Sequence, residues 1–289
     1  RQVQSKGILC YNPTSFERSE CVEHNGQTVY LEHIPPLGYC VVQPTVLEQT
    51  MQIDERGMEN EFFRLRWNEA GWLTEIYDKR VDRQVLQPGK PGNVMTAFED
   101  RPVKYDAWDV MIYYQEKGWD LDAPAAIKVT CNTAERVSVT FTKPFLSSVV
   151  TQTVSLYHGI PRIDFQTEID WKESDLLLKV AFPVDVLSSR ASYEIQYGAI
   201  ERPTHWNTSW DTAKFEVCAH KWADLSEEGY GVALLNDCKY GYDIKDGLMR
   251  LTLLKCADYP NPEADRERHF FTYSLLPHEG RWQEGEVVR

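Results

Sequence analysis

The chain has 289 residues, 42% of them hydrophobic, and a formal net charge of -13. A polyanion of this kind repels nucleic acid and anionic membrane surfaces, so the composition excludes those partners and leaves neutral ones such as sugars open. A chain of this length hides roughly 75% of its unfolded surface, enough for one large β domain or two ordinary ones.

Seven cysteines (Cys10, Cys21, Cys40, Cys131, Cys218, Cys238 and Cys256) are scattered without a CxxC or regular spacing. The odd count in a long chain argues against a disulfide framework and for a reducing, cytoplasmic setting. Zinc-site spacing is likewise absent. No apolar run approaches the roughly 18 residues of a membrane span, and no signal-peptide pattern opens the chain. Residue 1 is Arg, so the chain reads as part of something longer or as a processed product.

Helical periodicity is scarce, and short alternating runs between turn signals predict antiparallel strands. In chain order, residues 7–47 offer short strands at 8–11, 28–31 and 38–42, separated by Pro- and Gly-bearing turns. Strands of this size bury too little by themselves, so residues 1–48 read as an incomplete small β-sandwich segment. A new strand run opens at Glu59, and residues 49–289 read as one large antiparallel supersandwich.

Next comes the acidic loop Tyr105-Asp106-Ala107-Trp108-Asp109, placed just before a predicted strand at 110–114. Trp108 offers a flat apolar face for a sugar ring, and Asp106 and Asp109 can accept its hydroxyl hydrogen bonds. Two carboxylates three residues apart seldom face each other across a bond, as glycoside cleavage requires, so binding is the more natural role. The competing reading is a plain turn whose Asp side chains bond their own backbone.

Strands follow at 136–143, 148–157, 162–170 and 176–183, with His158-Gly159 as a hairpin connection, and then at 193–200. The stretch 202–226 gathers Trp206, Trp210, Trp222, His205 and His220. His205 and His220 with Asp211 or Asp224 are conceivable metal ligands, but their spacing fits no compact site, and a packed loop is the favoured reading. Asn207-Thr208-Ser209 matches a glycosylation acceptor, which means nothing in a cytosolic chain.

After a strand at 231–235, the turn 235–241 places Asp237 at a strand end, with Gly241 expected in the left-handed region and Cys238 a conceivable nucleophile. Strands at 248–254 and 269–276 then flank a long loop held by Pro260 and Pro262. Lys255 and Asp265 are the binding candidates there. No HExxH, phosphate cradle or nucleophile elbow is present, so no catalytic residue and no metal ligand is assigned.

Taken together, these segments resemble the C-terminal region of glycoside hydrolase family 38, the α-mannosidases, in the branch typical of bacteria and of cytosolic eukaryotic enzymes. The resemblance rests on Tyr105-Asp-Ala-Trp-Asp109, on Arg202-Pro-Thr-His205, on Lys214-Phe-Glu216, on the run from Gly231 to Gly241 and on Pro277-His278. It implies an all-β, galactose mutarotase-like supersandwich behind part of a small β-sandwich. It also implies a retaining enzyme that hydrolyses terminal α-mannosides, with zinc and the Asp nucleophile in an N-terminal catalytic domain of the same enzyme. The partners implied are an α-mannoside or oligomannoside substrate and that catalytic domain. The resemblance further implies that Trp108 reaches the sugar and that the segment around Lys255 and Asp265 meets the outer part of the substrate. Alternatives are a stand-alone carbohydrate-binding module, a mutarotase-like enzyme, or part of a mannosyl-glycerate hydrolase.

Overall fold

A computed structural model describes residues 7–288. Among the described residues the regular structure is almost wholly antiparallel strand, built around two large sheets of nine and six strands. The nine-stranded sheet runs, in spatial order, Ala126–Asn132, Arg136–Phe145, Ser148–Tyr157, Ile160–Asp170, Arg268–Glu279, Tyr230–Asn236, Trp222–Ser226, Arg190–Ile195 and Gly198–Pro203. The six-stranded sheet runs Gly118–Asp120, Val94–Glu99, Leu176–Pro183, Leu248–Cys256, Gly241–Lys245 and Val217–Cys218. A five-stranded meander from Gln52–Ile53 to Arg83–Gln84 shares their core.

Alternation explains how the two sheets meet. Val137, Val139 and Phe141 point inward from one strand of the larger sheet, and Leu178, Val180 and Phe182 from the smaller. At the centre Phe165 stacks on Tyr273 with ring centroids 5.0 Å apart, and Phe182 from the other sheet closes on Phe165 at 5.5 Å. The Tyr273 hydroxyl is satisfied even here: it donates to Asn93 Oδ1 at 2.6 Å and accepts from Gln152 Nε2 at 2.7 Å. Burying each such ring stabilises the fold by about 1.5–3 kcal/mol.

The Leu176–Pro183 strand is buried on both faces. Leu178, Val180 and Phe182 serve the main core, whereas Leu177 packs with Phe98 and Tyr114 on the opposite side. The outward face of the smaller sheet is therefore covered rather than wet, and that cover shapes the candidate site.

The first 48 residues contribute two ribbons, Ile8–Asn12 with Gly38–Val42 and Arg18–His24 with Gln27–Ile34. They lean on the larger sheet through Tyr30, whose ring meets His158 edge-on at 5.1 Å, and through an ion pair of Glu23 with Arg136 at 3.0 Å. The expected hairpin at His158-Gly159 is present, with Gly159 at φ +71°.

Three local expectations need correction. Residues 110–114 do not form a strand; Ile112–Glu116 is a single 3-10 turn, because Tyr114 packs edge-on against Phe98 at 5.2 Å. The segment 193–200 is two strands rather than one, broken at Tyr197, which takes φ +59° and is fully exposed. Gly241 is absent from the left-handed region. It is needed instead for close approach, since a Cβ there would stand 2.8 Å from Glu216 Oε1 and 2.9 Å from Thr252.

Candidate functional site

The acidic loop 100–111 leaves the Val94–Glu99 strand and is fixed at its root, middle and end. At the root, the buried Asp100 carboxylate pairs with the Lys255 ammonium, and its backbone N–H donates to Asp175 O at 2.8 Å. Burial pushes the Asp100 carboxyl up from its ordinary value, against the opposing pull of Lys255.

In the middle, Asp106 Oδ2 accepts the backbone N–H groups of Asp258 at 2.7 Å and Tyr259 at 3.2 Å. This ties the loop to the long 257–267 loop, which Arg266 braces through Asp258 at 2.9 Å. Between these points the N–H groups of Trp108 and Asp109 donate to Tyr105 O at 2.8 and 2.9 Å, closing a tight turn.

At the end, Tyr114 seals a buried charge cluster on the outward face of the smaller sheet. The Lys179 ammonium, wholly inaccessible, pairs with Asp243 Oδ2 at 2.5 Å and with Glu216. Arg250 Nε donates to the other Asp243 oxygen at 2.7 Å, and the Thr252 hydroxyl to Glu216 Oε1 at 2.6 Å. Tyr114 lies over the ammonium, which sits 5.3 Å from its ring centre. Burial alone would pull Lys179 down, but Asp243 and Glu216 outweigh it, and the side chain ends above the ordinary lysine value. It is a charged post, held in a dry site.

What this anchoring leaves outside is aromatic. Trp108 is 68% exposed, and Tyr105, Tyr113 and Tyr259 between 63% and 66%. Asp109 is exposed as well. The structure thus joins the loop that carries Trp108 and Asp109 to the second loop through Asp106. It places Lys255 underneath them as the partner of Asp100 rather than at the surface rim.

Asp237 and Asp265 form a separate group. Asp237 Oδ2 accepts the Thr272 N–H at 2.9 Å, and Asp265, exposed and at φ +59°, offers its carbonyl to the His269 ring at 2.8 Å. Both carboxylates act on Lys239, which burial pulls below the ordinary lysine value.

Beside the roots of the two loops lies a cavity of about 970 Å³, lined among others by Glu99, Arg101, Trp119, Phe145, Asp175 and Arg266. Two of its lining residues, Arg101 and Asp175, pair at 3.4 Å. None of Asp106, Trp108, Asp109, Asp237, Lys255 and Asp265 lines this cavity.

The conceivable metal ligands part company. His205 faces Asp211 at 3.5 Å, His220 packs against Tyr240 at 5.9 Å, and Asp224 accepts from the buried His278 at 2.8 Å. Among the described residues no three His, Cys, Asp or Glu side chains converge, so the donor set here does not fit a zinc ion. For Cys238, burial and the neighbouring Asp237 push the thiol up, the opposite of what a nucleophile needs.

Sequence reasoning missed Lys179, Glu216, Asp243 and Arg250. A signal existed in each strand: a Lys inside Leu-Leu-Leu-Lys-Val, an Asp inside Gly-Tyr-Asp-Ile, an Arg inside Leu-Met-Arg-Leu. Charges embedded in apolar runs call for partners, though nothing in the runs says which.

Comparison with known proteins adds identity to this geometry. Residues 58–263 match the family described as glycosyl hydrolases family 38 C-terminal domain. Alpha-mannosidase 2C1 of Homo sapiens is 37% identical over 301 residues, covering 98% of this chain and 29% of that protein. Alpha-mannosidase G of Dictyostelium discoideum is 33% identical, covering 99% of this chain and 30% of its own length. Alpha-mannosidase of Saccharomyces cerevisiae is 38% identical over 224 residues, 73% of this chain and 21% of that protein. The chain thus spans less than a third of the length of these curated relatives. A crystal structure of an alpha-mannosidase from Enterococcus faecalis superposes with a TM-score of 0.74 at 14% identity, covering 96% of this chain and 39% of that one. That likeness establishes the shared fold.

Proposed function

Because this chain belongs to glycoside hydrolase family 38, as its C-terminal domain, we propose that it walls the substrate cleft of a retaining, zinc-dependent α-mannosidase. The anchored loop that holds Trp108 outward carries this reading. A loop pinned at its root, middle and end has less backbone freedom left to lose when a ligand arrives, while the exposed Trp108 ring stays available to it.

Trp108 stacks on the apolar face of a terminal mannose, and Asp109 accepts hydrogen bonds from its hydroxyls. Asp106 is already occupied by two backbone N–H groups and serves the loop's shape. Lys255 acts beneath it through Asp100. Asp237 and Asp265, gathered around Lys239, meet the outer part of an oligomannoside.

The division of labour follows from the same residues. Retaining cleavage requires two carboxyl groups about 5 Å apart on opposite sides of the bond. Asp106 and Asp109 share one turn, and Asp106 is engaged by backbone. Bond cleavage and the zinc ion therefore belong to another part of the same enzyme, which works in the cytoplasm.

The test is W108A in the complete enzyme. The expected result is a fall in kcat/KM for an aryl α-mannoside of about tenfold or more, equivalent to roughly 1.4 kcal/mol, with an unchanged melting temperature. Undiminished kcat/KM overturns the cleft assignment. Turnover of the same substrate by the purified 289-residue chain overturns the division of labour.

A further inference from the structure

In the small N-terminal unit, the Ile8–Asn12 and Gly38–Val42 strands run antiparallel with Cys10 in register with Cys40. Their neighbours in the ladder are Leu9 against Val41 and Tyr11 against Tyr39. Side chains alternate across a strand, so the two thiols project from one face of the ribbon, and the Leu9 and Tyr11 rows from the other. Directly opposed residues have Cα atoms about 4.5–5.5 Å apart. That lies inside the roughly 4.4–6.8 Å that a disulfide spans.

Both cysteines are free and half-buried. Leu9, Tyr11 and Tyr39 on the opposite face are 66–69% exposed, so the thiols occupy the more sheltered side. Burial pushes the Cys10 thiol up, and Cys40 across from it pushes in the same direction, so exchange here rests on the register of the two thiols and on alkaline pH rather than on a ready thiolate.

We propose that Cys10 and Cys40 form a reversible thiol-modification site that takes small disulfides of the oxidised-glutathione class and closes to a cross-strand disulfide. The chemistry balances as two exchanges. The thiolate of one cysteine attacks a sulfur of oxidised glutathione, forming a mixed disulfide and expelling one glutathione thiolate. The second cysteine, as thiolate, attacks the protein sulfur of that mixed disulfide and expels the other glutathione. The two protons from the protein thiols end on the two released glutathiones. Two thiols are oxidised and one small disulfide is reduced, with no other reactant needed.

Register brings the second thiol to the first without backbone movement, so the mixed disulfide should not persist. Closure would tie the first strand of the unit to its last, across the ribbon formed by Arg18–His24 and Gln27–Ile34.

The experiment incubates the intact, folded chain with oxidised glutathione at pH 8, alkylates the remaining thiols, and digests it with an enzyme that cuts at Glu32, separating Cys21 from Cys40. The expected product is a linked peptide pair containing Cys10 and Cys40, released by a reducing agent. C10S and C40S are each expected to lose the linked pair and to retain one glutathione on the surviving partner. Exposed Cys218 acts as the internal control. If Cys218 carries glutathione while Cys10 and Cys40 are both recovered alkylated, or each holds its own glutathione, the proposal fails.

Discussion

Asp106 reaches out of its own loop to accept the backbone N–H of Asp258 at 2.7 Å, so two loops more than 100 residues apart in sequence are held by one carboxylate. A charge-assisted bond of this kind contributes about 1.5–3 kcal/mol where it is shielded, and less where water competes. D106A is therefore expected to loosen both loops together while the sandwich beneath keeps its melting temperature. Amide hydrogen exchange should speed up at 103–109 and 257–264. D106N, which keeps one acceptor oxygen, should recover most of the protection. Faster exchange in one loop alone would show that the carboxylate does not couple them.

Lys179 makes the opposite forecast, because its partners are sealed in. K179M leaves Glu216 buried without its cation and Asp243 with Arg250 alone. Removing one member of a buried ion cluster costs about 3–5 kcal/mol. Denaturant unfolding should register that loss, and the Tyr114 cover should open, making Ile112–Glu116 accessible to protease. An unchanged unfolding midpoint would mean that water reaches the carboxylates.

Lys143 gives a pH signature. Its ammonium is buried, donates to Ala70 O and Leu121 O at 2.9 Å each, and is pulled by burial from 10.5 down to about 8. Between those values the unfolded chain holds a proton that the folded chain has released, so folding becomes easier as pH rises. The burden is fully present below pH 8 and is relieved by about pH 10.5. Wild type should gain on K143M by an amount on the order of 3 kcal/mol across that window. Comparing the two proteins isolates this group from Cys21 and Cys256, whose thiols burial pushes up to about 12. A flat difference between wild type and K143M from pH 7 to 11 would contradict the burial argument.

Gly159 links the hairpin to the small N-terminal unit. At φ +71° an alanine costs about 1–2 kcal/mol from backbone strain alone, and its Cβ would run into the Tyr30 hydroxyl. G159A should be destabilising beyond the strain figure, and Y30F should recover part of the excess, as a double-mutant cycle can measure. Simple additivity of the two substitutions would show that the contact relaxes at no cost.

Much of the sandwich was legible because its rule is local. Val137, Val139 and Phe141 alternate in the sequence and face the core in the structure for the same reason. The alternation failed where two periods agree. Val110 and Tyr114 suit a strand as well as a single helical turn, and only Phe98, arriving from another strand, decides for the turn. Tyr197 failed differently, since a bulky residue in the left-handed region carries no turn signal of the kind that Gly or Asn gives.

At the site, Trp108 and its acids stood out by composition. The anchors did not, because Lys179, Glu216, Asp243 and Arg250 come from four separate segments that only the finished sheet brings together. Lys255 stands out in the sequence beside a long loop, but its partner Asp100 comes from another segment, so no local pattern encodes its orientation toward the root.

The Tyr114 cover over Lys179 separates the part of this sheet that can change from the part that cannot. Outward-facing residues of the covered sheet are committed to one another, so changes among them threaten folding before they alter recognition. The exposed side chains of Tyr105, Trp108 and Tyr259 carry no such obligation. Substitution of those three rings should therefore redraw the exposed surface while the buried cluster beneath keeps the fold.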